Sequence, residues 1–206
     1  MVAGLPKIKA SAPTTRRHPK YEKRMASILK AASRVIARDG FEGASVRDVA
    51  ARGKIGLSGI YYYFKGKDEL LYAIQYHAFS TLVSSLKDRL KEASSPEEKL
   101  RAVIDNHFTF FVNNMDEFIV CVHEMESLSG KYYKNVLAVR QEYFRVVRRT
   151  VGELFQGSQY ETDLAALSLF GSLNWVYMWY DREKNRDIDK IISQFLRVFL
   201  NGIAKA

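Results

Sequence analysis

Apolar residues recur along this chain at steps of three and four, and no stretch shows the period-two alternation of a half-buried strand. The first stripe, Met25, Ile28, Leu29, Ala32, Val35 and Ile36, predicts a helix from about Tyr21 to Asp39-Gly40. There glycine takes the left-handed position after the helix, and Phe41 folds back onto the last turn. Beyond Gly43 and Ala44, Ser45 reads as an N-cap with Asp48 as its reciprocal partner. A short helix follows from Val46 to about Arg52, broken by Gly53-Lys54-Ile55-Gly56, and a third runs from Leu57 to Phe64. A long fourth helix starts near Lys67, where Asp68 and Glu69 complement its N-terminal dipole.

The helical period continues to the C-terminus. Pro96, after Ser94 and Ser95, stands at the first position of a fifth helix, whose stripe is Leu100, Val103, Ile104, His107, Phe108, Phe111 and Met115. A shorter helix spans Glu117 to about Leu128, ended by Ser129-Gly130, and a longer one spans about Tyr132 to Phe155, ended at Gly157-Ser158. Leu164, Leu167, Gly171, Trp175 and Met178 share one face of an eighth helix. Ile188, Ile191, Ile192, Phe195, Leu196, Phe199 and Leu200 stripe a ninth, ended by Gly202. The pattern is all-α, with about nine helices and no internal repeat.

Charge divides this run of helices unevenly. Residues 1–70 hold 15 Lys and Arg against 6 Asp and Glu, whereas residues 71–206 hold 17 of each, so the net charge of +9 sits in the first third. A basic module joined to a neutral one suits a polyanion-binding head on a body with another task. Residues 1–19, with Pro6, Pro13 and Pro19 and almost no large apolar side chain apart from Leu5 and Ile8, read as a disordered basic arm in which Arg16, Arg17 and His18 can reach phosphates, although most such arms are merely solvated. The expected division is therefore an arm over 1–19, a head over 20–66 and a body over 67–206. At 47% hydrophobic and 27% charged residues the 206-residue chain is globular, and no apolar run nears the ~18 residues of a membrane span. The N-terminus lacks a signal-peptide stretch and Cys121 is the single cysteine, which suits a reducing cytoplasm and excludes an internal disulfide.

Two short helices around a glycine-containing turn, braced by a longer helix before them, form a helix-turn-helix pattern. Ala50 is small where the two helices approach, and Val49, Ile55 and Ile60 are placed to pack against the first helix. The third helix carries Ser58, Tyr61, Tyr62 and Tyr63, with Lys65 and Lys67 beyond it. Hydroxyls and lysines reach phosphates, while residues at the start of such a helix approach base edges in a major groove. Three consecutive tyrosines point in three directions, so at least one packs; Tyr62 is the candidate for a mixed role.

The stretch SVRDVAARGKIGLSGIYYYFKGKDELL, Ser45 to Leu71, resembles the DNA-binding domain of the tetracycline-repressor (TetR) family of bacterial regulators. The resemblance implies a three-helix DNA-binding head and a helical body that dimerises and holds a ligand. It sets Ser45 on a phosphate-binding helix start and Arg47 within reach of DNA. It puts Leu57, Ser58 and Gly59 at the base-facing start of the recognition helix. Tyr61 and Tyr63 fall on phosphate and groove contacts, Tyr62 lies between them, and Lys67 matches a phosphate-binding lysine. Lys54 stands where the family usually has glycine, and Gly56 where Ser or Thr often caps the recognition helix; Leu57 and Gly59 offer few polar groups. These departures shift recognition towards phosphates, tyrosines and DNA shape.

In the body, the resemblance implies a homodimer through the last two long helices, with Leu167, Gly171, Ile192, Phe195, Leu196 and Phe199 at the interface; ordinary core is the alternative reading of that stripe. Aromatic crowding suggests an apolar effector cavity between helices, lined by His107, Phe108, Phe111, Met115, Phe118, Tyr143, Phe144, Trp175 and Trp179, although no spacing rule separates lining from packing and most such residues are core. The run FGSLNWVYMWY, Phe170 to Tyr180, is similar to one in TetR-family repressors of fatty-acid and steroid degradation, which respond to acyl-CoA thioesters. Arg140, Arg145, Arg148 and Arg149 would then meet the phosphates of such an effector, a solvated helix face being the other explanation. An efflux-pump regulator responding to aromatic drugs is the alternative function. No Gly-rich phosphate loop, nucleophile elbow or HExxH occurs, so catalysis is not expected, and no cofactor or metal is expected either. His107 and His123 with Glu124 and Glu126 are better read as helix-face residues than as metal ligands. A helical adaptor without DNA leaves the basic third and its tyrosines unexplained.

Overall fold

Serine-led capping boxes start three of the helices, each with the hydroxyl accepting from an amide three residues on and a carboxylate returning the bond: Ser45 with Asp48, Ser95 with Glu98, and Ser158 with Glu161. The computed structural model describes residues 19–154, 157–181, 183–184 and 187–203. The expected arm, with Arg16, Arg17 and His18, lies outside the described residues apart from Pro19, which opens the first helix. Among the described residues ten helices occur in order: α1 Pro19–Gly43, α2 Val46–Gly53, α3 Leu57–Tyr61, α4 Lys67–Glu92, α5 Pro96–Asn113, α6 Met115–His123, α7 Gly130–Gly152, α8 Gln159–Asn174, α9 Val176–Trp179 and α10 Ile188–Ile203. No strand occurs among the described residues. The expected eighth helix is two, because the chain breaks at Trp175 before the single turn of α9.

Helix α1 carries its expected stripe inward, with Met25, Ile28, Leu29, Ala32, Val35 and Ile36 buried. Gly40, at φ 72°, breaks the helical ladder, and Phe41 beyond it is buried. Gly53 closes α2 where a Cβ would stand 2.9 Å from Ile55 Cδ1 and 3.1 Å from Ala31 Cβ, so no larger residue sits there without displacement. The left-handed turn therefore falls to Lys54, at φ 50°, the one non-glycine with positive φ among the described residues.

The described chain divides into two compact units. One runs to Ala78 and takes in Asp116–Leu137; the other holds Phe79–Met115 and the chain from Ala138 onward. Packing thus divides the chain inside α4 and α7, whereas the sequence suggests a boundary between 66 and 67. The first turns of α4 bury Leu70, Leu71 and Ile74, and Gln75 Nε2 donates to the carbonyl of Glu124 at 2.9 Å, which ties α4 to the end of α6 inside the first unit. In the second unit α5 lies against α8, α9 and α10. Its core includes Leu100, Ile104, Phe108, Tyr143, Leu169 and Leu173. Lys99 pairs with Glu153 at 2.6 Å and Lys87 with Glu142 at 2.5 Å around its surface.

Candidate functional site

The helix-turn-helix is built on apolar contacts that leave its polar residues outside. Val49, Ile55, Ile60 and Phe64 are buried, while Arg47, Leu57, Ser58, Tyr61 and Tyr62 are exposed and Gly59 is half-buried. Tyr61 and Tyr62 keep 52% and 63% of their surface, large values for aromatic side chains. Helix α3 ends at Tyr61, shorter than the stripe to Phe64 suggests, and Tyr62 and Tyr63 follow in a turn. The packing tyrosine is Tyr63 rather than Tyr62. Its ring lies 4.7 Å from that of Tyr21 on α1 and 5.1 Å from that of Tyr62, and partial burial holds its hydroxyl pKa above the usual value.

Two of the expected phosphate contacts are already engaged within the chain. Ser45 Oγ accepts from the Asp48 amide at 3.2 Å and donates to Asp48 Oδ2 at 2.5 Å. Lys67 Nζ donates to the Phe41 carbonyl at 3.1 Å and lies 4.4 Å over the Phe41 ring, with Glu42 Oε2 at 3.4 Å. It caps the end of α1, where a cation complements the free carbonyls. Glu69, which the sequence offered only as a charge for the helix dipole, is buried and accepts the Lys65 amide through Oε2 at 2.6 Å.

In the second unit the aromatic residues gather around a buried histidine. His107 Nε2 lies 3.1 Å from Asn174 Oδ1, an oxygen that only accepts, so Nε2 donates and the Nδ1 of the neutral ring accepts from the Tyr143 hydroxyl at 3.3 Å. Burial holds the His107 pKa down, to about 4, against a smaller upward pull from Asn174. Burial also raises the Tyr143 hydroxyl, and Asn106 opposes that rise. Phe111 and Phe170 stand edge-on to the imidazole at 4.7 and 5.5 Å, and Phe144 stacks on Phe170 at 6.0 Å. The structure thus brings together His107, Phe111, Tyr143 and Phe144 of the expected effector residues. Asn106, Phe170 and Asn174 join them, although the sequence pointed to them only through the Phe170–Tyr180 run or not at all. Asn106 Nδ2 donates to the Leu82 carbonyl at 3.1 Å, and Ser85 Oγ donates to Asn106 Oδ1 at 2.7 Å.

The remaining expected effector residues lie elsewhere. Phe108 packs near Trp179, Tyr180 and Phe195. Phe118 is buried in the first unit, and Met115 is half-buried at the start of α6. Trp175 stands outside, 58% exposed, on the same outward stripe as Leu164 and Leu167 of α8. Arg148 is ion-paired with Asp163 of α8, and Arg140 lies 5.1 Å over the Phe79 ring, so of the four arginines only Arg145 and Arg149 are exposed. Helix α4 also carries polar atoms that no hydrophobic stripe reveals: Gln75 Oε1, His77 Nδ1 and Thr81 Oγ1 are buried without a hydrogen-bond partner.

The expected dimer residues split in two. Leu167 and Gly171 are exposed, together with Leu164, Trp175 and Met178, and nothing lies within 4 Å of a Cβ built on Gly171. Ile192 and Leu196 are buried inside the single chain, 1% and 9% exposed, because they form the inward i, i+4 pair of α10; they are core. Phe195 and Phe199 are half-buried and line an open apolar groove of about 410 Å³ with Trp179, Ile191 and Val198. No group of three metal-ligating side chains occurs among the described residues; His123 and Glu126 are exposed, and Glu124 serves another purpose.

Residues 28–74 match the family described as bacterial regulatory proteins, tetR family, and residues 93–203 match the family described as tetracyclin repressor-like, C-terminal domain. The chain belongs to the TetR family. It is a transcriptional regulator built to bind DNA, and its relatives are regulators rather than enzymes. It is 23% identical over 192 residues to the fatty acid metabolism regulator protein of Bacillus subtilis (strain 168), spanning 91% of this chain and 97% of that one. Its fold matches the fatty acid degradation regulator FadR from Bacillus halodurans with a TM-score of 0.73 at 23% identity, over 92% of this chain and 98% of that one. It also matches AibR, solved in complex with isovaleryl coenzyme A and operator DNA, with a TM-score of 0.72 at 23% identity, over 84% and 96%. In this TetR-family chain no described helix is long and apolar enough to cross a membrane.

Proposed function

We propose that the chain is a dimeric, ligand-responsive repressor, working in the cytoplasm, that binds a palindromic operator and releases it when an acyl-CoA fills its second unit. The observation that carries the DNA half is the outward set of Arg47, Ser58, Tyr61 and Tyr62 on an apolar-braced helix-turn-helix in the basic third of the chain. Tyrosine hydroxyls and arginine suit phosphates and groove edges, and two such heads must meet successive major grooves about 34–36 Å apart. The dimer half rests on exposed Leu164, Leu167, Trp175 and Met178, an apolar face that a lone chain leaves in water. A second copy, laying its own α8 and α10 against it, forms the four-helix seam suited to such a face.

The effector half rests on the aromatic cluster about His107, together with relatives that are themselves a fatty acid metabolism regulator and a protein solved with an acyl-CoA. A neutral imidazole and a phenol among phenyl rings offer an acyl thioester apolar walls and a few oriented donors. Arg145 and Arg149 are the cations still exposed for its phosphates. The ligand moves the balance only by its differential affinity for the two states, and a hundredfold loss of operator affinity needs about 2.7 kcal/mol of coupling. The deciding experiment titrates palmitoyl-CoA into the protein–operator complex, with palmitate and CoA as controls. Release by the thioester alone supports the reading. Release only by planar aromatic cations assigns the protein to drug-efflux control instead.

A further inference from the structure

We propose that Glu124, far outside the helix-turn-helix in sequence, is a positioning residue for operator binding: it holds the peptide of Phe41 at the break in α1. The proposal rests on the DNA-binding reading above and adds a residue to it.

Where Gly40 leaves helical dihedrals, the Phe41 N–H donates to Glu124 Oε1 at 3.0 Å. Phe41 is buried, so its amide needs a partner inside the protein, and a carboxylate gives a charge-assisted bond about twice as strong as a neutral one. The other face of the same residue is held by α4: Lys67 Nζ donates to the Phe41 carbonyl at 3.1 Å. Glu124 is itself fixed at both ends. Its Oε2 accepts from Ser127 Oγ at 2.7 Å, and its carbonyl accepts from Gln75 Nε2 of α4 at 2.9 Å. Phe41 therefore sits between the end of α6 and the start of α4, gripped by one side chain from each.

The position of this grip gives it consequence. Phe41 is four residues before Ser45, the N-cap of α2, so the chain passes from the held peptide almost directly into the helix-turn-helix. A carboxylate is disfavoured beside a helix C-terminus, yet Glu124 follows the last residue of α6. The bond to Phe41 offsets that cost. Asp116, at the other end of α6, lies 3.6 Å from Arg34 of α1, a half-exposed pair that adds little strength but follows the same direction. Glu124 thus fixes the peptide that follows the Gly40 break, and with it where α2 and α3 stand on DNA.

The test uses the full-length protein and the duplex that wild type selects from a random-sequence library. Glu124→Ala is expected to bind that duplex about tenfold more weakly while keeping its affinity for unrelated DNA. Glu124→Gln, whose amide oxygen still accepts from Phe41, restores most of the loss. Val120→Ala, which destabilises α6 through a buried side chain without touching the grip, leaves operator affinity unchanged. Wild-type affinity in Glu124→Ala, or an equal loss in Val120→Ala, overturns the proposal. Hydrogen exchange at the Phe41 amide reads the bond without DNA: it should quicken in Glu124→Ala and not in Glu124→Gln. Unchanged exchange overturns the proposal even where DNA binding holds, and a wild type that selects no duplex overturns the DNA-binding reading instead.

Discussion

Along α2, α3 and the turn that follows, the exposed side chains of the first unit include Arg47, Ser58, Tyr61 and Tyr62; along α8, α9 and the break between them, those of the second include Leu167, Trp175 and Met178. Tyr62 and Trp175 keep nearly equal shares of their surface, 63% and 58%, but what they offer differs. The first surface presents hydroxyls and cations to a partner that is charged and wet. The second presents indole and thioether to a partner that must be apolar. Beneath the surfaces the order reverses: the helix-turn-helix core is Val49, Ile55, Ile60 and Phe64, whereas the core behind α8 holds a hydrogen-bonded imidazole, phenol and carboxamide. A polar skin over an apolar core suits a head that binds one polyanion and keeps its shape. An apolar face over a core that holds one hydrogen-bonded polar cluster suits a body that joins a copy of itself and answers a ligand.

The sharpest way to break this comparison is to make the two surfaces alike. Leu167→Glu places a charge on the apolar face and is expected to weaken the dimer by at least about 30-fold, the scale of a 2 kcal/mol interface residue. Light scattering should show monomers at micromolar concentration, and operator binding should fall with them. A Leu167→Glu dimer as tight as wild type removes that face from the interface.

The polar core of the second unit should reveal itself through pH. An unfolded histidine titrates near 6.5, whereas folded His107 titrates at about 4. Between those values the unfolded chain takes up a proton that the folded chain refuses. The stability is whole above pH 6.5 and is lost as pH falls towards 4, by a total of about 3 kcal/mol. Burial lowers His77 in the same direction. Denaturant melts across pH 4–7 should show this acid limb, and His107→Gln, neutral throughout, should flatten it. An equally steep limb in His107→Gln assigns the loss to other groups.

Smaller effects probe the turn between α2 and α3. Gly53→Ala drives a methyl against Ile55 and Ala31 and should cost about 1–2 kcal/mol, seen as a lower thermal midpoint. Lys54→Gly relieves the left-handed strain and should add about 0.5 kcal/mol or slightly more. Opposite signs at adjacent positions distinguish a glycine needed for space from one merely favoured by dihedral angle. A stabilised Gly53→Ala shows that α1 gives way at no cost.

Local rules made much of this legible in advance. Helical period alone placed the buried face of α1, and the Ser45–Asp48 box, the Pro96 start and the Gly40 break are all local chemistry. The boxes at Ser95 and Ser158 carry the S-x-x-E form of the same local signal. The same rules failed at Trp175, where an unbroken stripe ran through a helix end, and at Tyr62 and Tyr63, where three tyrosines shared one local pattern and only Tyr21 of α1 decided which would pack.

What the sequence by itself determined, then, is most of the helices, the caps that start them and the sign of the charge on the head, because those depend on composition and on neighbours three or four residues away. Tertiary structure decided which apolar positions of α8 and α10 face inward and which polar groups are already engaged within the chain. Ile192 and Leu196 became core while Leu167 stayed outside, Lys67 turned to Phe41, and Arg148 turned to Asp163. Glu124, a residue with no motif about it, met an amide 83 positions away. Such meetings depend on where distant backbone comes to lie, and no local spacing encodes that.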